Sequence, residues 1–166
     1  MPDFEIRNAR PSDVPSIRRI VDTYSPDRIL LSKDTVALYE DVPEFVVAER
    51  DATVIGCGAL HIIWDDLAEV RTLGVDLNGT RTGVGSALLS HLIDKAREYQ
   101  LKRLFVLTFE TEFFSRFGFE EIEGTPVSHE VFEQLLRSYD EGVAEFLDLE
   151  RVKPNTLGNG RMLLHL

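Results

Sequence analysis

The sequence predicts a mixed α/β fold of the α+β kind, a largely antiparallel sheet of about six to seven strands with helices on both faces. Three observations carry that prediction. Short apolar runs, several of them alternating, recur at 45–48, 53–63, 67–75 and 104–107, which is the mark of strands. Amphipathic stretches with an apolar residue every three to four positions fall among them, most clearly at 84–99. A glycine-rich turn, Thr82-Gly83-Val84-Gly85, leads from the 67–75 run directly into that helix.

Each element has its own reason. Phe4 to Asn8 alternates and reads as a short strand. Pro11-Ser12-Asp13-Val14-Pro15 then starts a helix with Val14, Ile17, Ile20 and Val21 on one face. Tyr24 to Ser32 is a turn-rich connection, and Ser32 is placed to cap a short helix through Tyr39 that Pro43 ends. Glu44 to Arg50 and Thr53 to Ile63 are strands joined by the tight turn Asp51-Ala52, an antiparallel hairpin, and Leu67 to Val75 is a third strand. The helix from Val84 to Tyr99 turns Val84, Leu88, Leu92 and Ala96 inward, with Ser86, Ser90, Asp94 and Arg97 opposite. Arg103 to Thr108 is apolar enough to be buried on both faces. Thr111 to Arg116 is a short helix closed by Gly118, and Phe119 to Ile122 extends again. Glu130 to Tyr139 is helical. Asp140 to Leu149 either continues that helix past Gly142 or forms a separate turn. Lys153 to Gly160 is a polar, turn-forming loop before a last strand, Met162 to Leu166. With 166 residues and no repeat or linker, a single domain spanning 1–166 is expected.

Composition narrows the function. A net charge of −11 argues against nucleic acid as a partner, because phosphate contacts need clustered Lys and Arg. The single cysteine, Cys57, lies in an apolar strand and reads as a small core residue. His61, His91, His129 and His165 are scattered without ligand spacing, so no metal is expected. The N-terminus lacks a basic-then-apolar signal, and no apolar run approaches the ~18 residues of a membrane span. A cytoplasmic protein acting on a small molecule, with no membrane partner, is the expectation; a homodimer is compatible with it.

The chemistry concentrates at the glycine turn. Glycines at 83 and 85 let a ligand approach the main chain. The first amides of the following helix lack intrahelical acceptors and sit at the positive end of its dipole, so the turn is a socket for a phosphate or diphosphate. A nicotinamide-type fingerprint would need glycine three residues after Gly85, where Leu88 stands. The Gly-Lys-Ser/Thr of a nucleotide-triphosphate loop is also missing.

This order of elements resembles the GNAT acetyltransferase family. The family's acyl-CoA motif, Gln/Arg-x-x-Gly-x-Gly/Ala, is matched by Thr80-Arg81-Thr82-Gly83-Val84-Gly85, with Thr80 departing from the usual Gln or Arg. Its later aromatic motif is matched by Phe113-Phe114-Ser115-Arg116-Phe117-Gly118-Phe119. A narrower resemblance, to short stand-alone amino-acid N-acetyltransferases of the N-acetylglutamate synthase type, rests on stretches along nearly the whole length. They include 29–33, 45–49, 55–60, 68–75 and 105–114, and 153–163 looks actinobacterial. Larger synthases carry an added kinase-like domain; the expectation is that this chain lacks it, and with it arginine feedback through that domain.

The resemblance implies acetyl transfer from acetyl-CoA to the α-amine of L-glutamate, the first step of arginine biosynthesis, by direct attack and without a metal. Glu69 is then the candidate base, Thr72 lies near the acetyl group, and Thr108 supports the leaving thiolate through a hydrogen bond. Strict alternation puts Glu69 and Thr72 on opposite faces, so a bulge in their strand is expected. Leu73, Gly74 and Val75 offer main-chain groups to the pantetheine arm, Leu73 supplying the oxyanion donor. Arg81, Thr82, Gly83, Val84, Gly85, Ser86 and Ala87 hold the diphosphate, and Phe114 and Phe117 line the cofactor. Phe114 stands where many family members carry the Tyr that protonates the thiolate. Lys33 and Arg161 are assigned to the acceptor's carboxylates, with Asn159 and Arg71 beside them and Arg28 in reserve. Asn159 leaves glutamine or another small amine open as acceptor. Thr80 and Phe114 are what favour a non-catalytic acyl-CoA-binding module.

Overall fold

A computed structural model of the chain describes residues 3–24, 34–77, 82–156 and 158–166. Its contacts divide into two compact units, Met1–His61 with Val70–Tyr99, and Ile62–Glu69 with Gln100–Leu166.

The first unit holds β1 (Glu5–Asn8), α1 (Val14–Tyr24), α2 (Thr35–Glu40), β2 (Phe45–Arg50), most of β3 (Thr53–Trp64), the later part of β4 (Leu67–Val75) and α3 (Val84–Glu98). β1 and β3 flank β2 antiparallel, with Ile6 opposite Ala48 and Val47 opposite Cys57. Asp51 and Ala52 both take positive φ, 50° and 62°, which is what the two central residues of a type I′ hairpin turn require. α1 buries the predicted stripe of Val14, Ile17, Ile20 and Val21 against Leu38, Phe45, Val47, Cys57 and Ala59. Burial pushes the Cys57 thiol up to about 12, so it remains an inert core thiol. Arg7 ties β1 to both neighbours. Its guanidinium grips Asp13 at 2.8 and 2.9 Å and reaches Glu49 at 2.5 Å. Asp13 also accepts the Arg10 amide at 2.7 Å.

The second unit holds the turn between β3 and β4, then β5 (Arg103–Thr108), α4 (Thr111–Ser115), β6 (Glu120–Glu121), α5 (His129–Leu135), α6 (Glu141–Phe146), α7 (Lys153–Thr156) and β7 (Gly160–His165). β5 runs parallel to β4 over three pairs, Leu67–Arg103 to Glu69–Phe105, and antiparallel to β7 along its whole length. Leu67, Phe105, Leu135, Val143, Phe146, Leu147 and Leu163 form the core here. The strand order is β1-β2-β3-β4-β5-β7-β6, with β4 and β5 parallel. The expected fold class is the one found.

Three expectations need correction. The helix predicted from Glu130 to Tyr139 stops at Leu135, and Asp140 opens a separate helix by accepting the Val143 amide at 3.0 Å. An Asp whose side chain can cap an amide competes against continuing the previous helix. The predicted loop from Lys153 begins as a helical turn, steadied by Lys153 to Glu150 at 3.0 Å. α2 starts at Thr35 after Asp34 rather than at Ser32, which lies outside the described residues. Among the described residues no helix is long and apolar enough to cross a membrane.

Candidate active site

The first unit carries a site made of main chain. Residues 67–70 of β4 are all buried, and from there the strand alternates, Thr72 and Gly74 buried and Arg71, Leu73 and Val75 half-buried. At the change of phase Thr72 has φ 56°. A β-branched residue in the left-handed region is a genuine outlier, and such strain persists where a surrounding structure holds it, often at functional sites. A bulge is expected between Glu69 and Thr72; the backbone departure found there is this left-handed φ. The Cys57 thiol donates to the Thr72 carbonyl at 3.4 Å and backs the distortion from β3.

Past β4, Gly83 caps α3 with φ 85°, and a Cβ built on it would meet nothing within 4 Å among the described residues. The position therefore demands glycine for its backbone angle rather than for lack of room. The first helical amide with an intrahelical acceptor is Ala87, bonded to the Gly83 carbonyl at 3.0 Å. No side chain caps this end. The amides of Val84, Gly85 and Ser86 thus point outward at the start of a helix of 15 residues. That geometry fits a diphosphate.

The sequence reading missed the two glycines that bring this helix close to the sheet. A Cβ on Gly56 would meet Leu88 Cδ1 at 2.9 Å, Val84 Cγ1 at 3.0 Å and the Gly74 carbonyl at 3.3 Å. One on Gly58 would meet Leu73 Cδ1 and Leu92 Cδ1, each at 3.0 Å. Glycine within a strand signals a close approach, and the Gly56-Cys57-Gly58 run carried that signal in plain view.

The second unit carries a site made of side chains. Glu69 is 3% exposed and pairs with Phe105 across the last rung of the β4–β5 ladder. Arg161 lies across from Leu107 on β7, with its guanidinium 5.6 Å from the Phe105 ring centroid. Phe105 is therefore the common neighbour of Glu69 and Arg161. Arg161 donates to the Gly124 carbonyl at 2.9 Å and to the Phe146 carbonyl. Its Nε is buried without an acceptor among the described residues. Burial lowers its pKa from the ordinary arginine value, against the pull of Asp148. Asn159 is half-buried, its amide on the Thr156 carbonyl at 3.0 Å.

Thr108 is buried, and its hydroxyl oxygen accepts the Glu110 amide at 2.8 Å, which leaves the hydroxyl hydrogen to donate elsewhere. Alternation along β5 turns it to the face opposite Phe105 and Leu107. Phe114 is buried edge-on between Phe113 at 5.1 Å and Phe119 at 5.3 Å, whereas Phe117 is half-buried beside Phe113. Phe114 thus serves as core, with its hydroxyl-free ring fully used in packing. Lys33 and Arg81, with Arg28 and Thr80, lie outside the described residues. Among the described residues no group of His, Cys, Asp and Glu could hold a metal ion.

The chain is similar to known proteins in sequence and in fold. Residues 14–119 match the family model described as Acetyltransferase (GNAT) family. A Mycobacterium tuberculosis protein named amino-acid acetyltransferase is 60% identical over 164 residues, 97% of this chain and 94% of its own. The crystal structure of Rv2747 from Mycobacterium tuberculosis, in complex with CoA and NLQ, superposes with a TM-score of 0.95 at 59% identity, covering 98% of this chain and 99% of that one. N-acetylglutamate synthase from Neisseria gonorrhoeae, complexed with coenzyme A and N-acetyl-glutamate, superposes with a TM-score of 0.78 at 26% identity over 98% of this chain but 35% of that one. The family match over residues 14–119 and the 60% identity over 97% of the chain place it in the GNAT acetyltransferase family.

Proposed function

We propose that the protein transfers acetyl from acetyl-CoA to the α-amine of L-glutamate, the opening acetylation of arginine biosynthesis, in the cytoplasm. One observation carries the reading above the others: outward amides at Val84, Gly85 and Ser86, in the same unit as a strand whose Thr72 takes a left-handed φ. The 60% identity to an amino-acid acetyltransferase supports the class of acceptor, and the relative complexed with N-acetyl-glutamate supports glutamate within it. The family match crosses both compact units, which supports reading 1–166 as one catalytic domain.

Bound acetyl-CoA supplies the acetyl group as a thioester. The amides of residues 84–86 take its diphosphate, with Arg81 and Thr82 adding to them. Main-chain groups of Leu73, Gly74 and Val75 take the arm by strand-like pairing. The Leu73 amide is aimed at the carbonyl oxygen where negative charge develops, a contribution of about 10²–10³-fold. Glu69, buried four residues earlier on the same strand, accepts the proton of the substrate ammonium directly or through one water, worth about 10²–10⁴-fold. Thr108 donates its free hydroxyl hydrogen towards the departing sulfur. Lys33 and Arg161 hold the acceptor's carboxylates, with Arg71 in support.

A second acceptor, glutamine, has its own observation. Arg161 already spends donors on two main-chain carbonyls, which favours a neutral side-chain amide read together with Asn159. The test is a panel of the twenty amino acids with acetyl-CoA, following thiol release. Glutamate should turn over fastest. A glutamine preference would move the assignment to the second acceptor, and retained CoA binding without turnover on any acceptor would make the protein a binding module.

A further inference from the structure

We infer that Tyr24 is a positioning residue for the cofactor site, holding the peptide plane at which β4 ends and the path to the glycine turn begins. The inference rests on the reading of residues 73–75 and 84–86 as the acetyl-CoA site, and goes beyond it to a residue on another element. Tyr24 is the last residue of α1, and its hydroxyl donates to the Val75 carbonyl. The other half of that same peptide, the Asp76 amide, donates to the Ile55 carbonyl at 2.7 Å. Both polar ends of one peptide plane are thereby pinned, the amide by β3 and the carbonyl by α1. A planar peptide held at both ends cannot rotate without breaking one of the two bonds.

The surroundings reinforce the clamp. Arg19, also in α1, donates to the Val54 carbonyl at 3.0 Å and reaches the Asp76 carboxylate at 3.5 Å. α1 therefore touches β3 and the end of β4 through polar bonds, in addition to its buried apolar stripe. The Tyr24 ring is partly buried against the core of this unit, so ring and hydroxyl have separable tasks. The ring packs; the hydroxyl orients a carbonyl. A carbonyl oxygen accepts two hydrogen bonds, so Val75 can still receive an amide of the pantetheine arm while Tyr24 fixes its direction. Without the hydroxyl the plane at 75–76 gains freedom. The strand groups at 73–75 then meet the arm from a scattered set of angles, an ordering cost that binding must meet.

The experiment compares wild type with Tyr24→Phe, which keeps the ring, and with Arg19→Met, which removes the neighbouring polar bonds. Calorimetric titration with CoA itself reads binding without turnover. Tyr24→Phe should weaken CoA about five-fold and raise the KM for acetyl-CoA in step, while kcat, the acceptor KM and the thermal midpoint stay near wild type. Arg19→Met should move CoA affinity in the same direction by less. An unchanged CoA affinity in Tyr24→Phe overturns the proposal. So does a lower thermal midpoint with both KM values unmoved, the signature of packing alone. Wild-type protein that fails to bind CoA would instead overturn the reading of the site, and the two failures are therefore distinguishable.

Discussion

The cofactor side and the acceptor side proposed for this protein are built from different materials. In the first unit the working groups are peptide amides and carbonyls, set by a left-handed Thr72, a left-handed Gly83 and two strand glycines. In the second they are side chains. Glu69 and Arg161 share Phe105 as a neighbour, and the carbonyls of residues 124 and 146 hold Arg161. Thr108 lies on the other face of β5, bonded to the Glu110 amide. A main-chain site recognises what every acyl-CoA shares. A side-chain site can be rewritten one residue at a time, so the proposal assigns acceptor choice to it.

The contrast breaks most visibly at Glu69. Glu69→Gln keeps the shape and removes the proton acceptor, so kcat should fall at least tenfold, towards the ~10²-fold low end for a positioned base, with CoA affinity unchanged. Steady-state rates and CoA titration together check this. Equal turnover would remove Glu69 as base. Arg161→Ala comes next. The acceptor KM should rise about tenfold, or about 1.4 kcal/mol, with the KM for acetyl-CoA untouched. The variant also loses charge-assisted bonds to the Gly124 and Phe146 carbonyls, so a drop in stability of about 2 kcal/mol accompanies it. A stability loss with an unmoved acceptor KM would make Arg161 an anchor and place the acceptor elsewhere.

The same contrast explains what could be read from the chain in advance. Gly83 and Gly85 pointed to the turn because glycine spacing before a helix encodes backbone geometry locally, and the structure gives Gly83 a left-handed φ at an uncapped helix start. A bulge near Thr72 is expected because period-two alternation puts Glu69 and Thr72 on opposite faces; the structure shows a left-handed φ at Thr72. The arrangement around Arg161 was not legible. Its guanidinium rests on Phe105 and on carbonyls fifteen and thirty-seven residues away in sequence, contacts that only the assembled core determines. The Asp140 cap was undecided for a related reason, since an Asp beside a glycine two residues on fits either a helix or its start. Gly56 and Gly58 were overlooked because their neighbours, Val84, Leu88, Leu73 and Leu92, lie far along the chain.

Those glycines allow a finer test of the main-chain site, because they are required for opposite reasons. Gly83 has space but a backbone angle that L residues resist, so Gly83→Ala should cost about 1 kcal/mol and weaken CoA a few-fold as the turn shifts. Gly56 carries no such angle but is crowded. Gly56→Ala should push Val84 and Leu88 outward by a few tenths of an ångström and weaken CoA to a similar or smaller extent. The acceptor KM should stay constant in both. An acceptor KM that rises as much as that for acetyl-CoA would erase the distinction between the two halves.

The smallest expected effect separates the units by pH. Arg7, through its hydrogen bonds to the buried Asp13 carboxylate, holds that group below the usual aspartate value of 3.8. A carboxylate lowered in the folded state binds its proton more readily when unfolded, so it stabilises the fold at pH above its unfolded value. That contribution drains away as pH falls through the lowered folded value. The bonds that hold Arg161 in the second unit end on neutral carbonyls, which do not titrate in this range. Acidification below about pH 4 should therefore loosen the strands around Arg7 before those around Arg161. Hydrogen exchange read by mass spectrometry on fragments from β1 and β2 should lose protection at a higher pH than fragments from β5 and β7. Asp13→Asn should reduce that difference while lowering protection of β1 at neutral pH. Simultaneous loss in both sets of fragments would show that the two units unfold as one and that the ion pair exerts no local control.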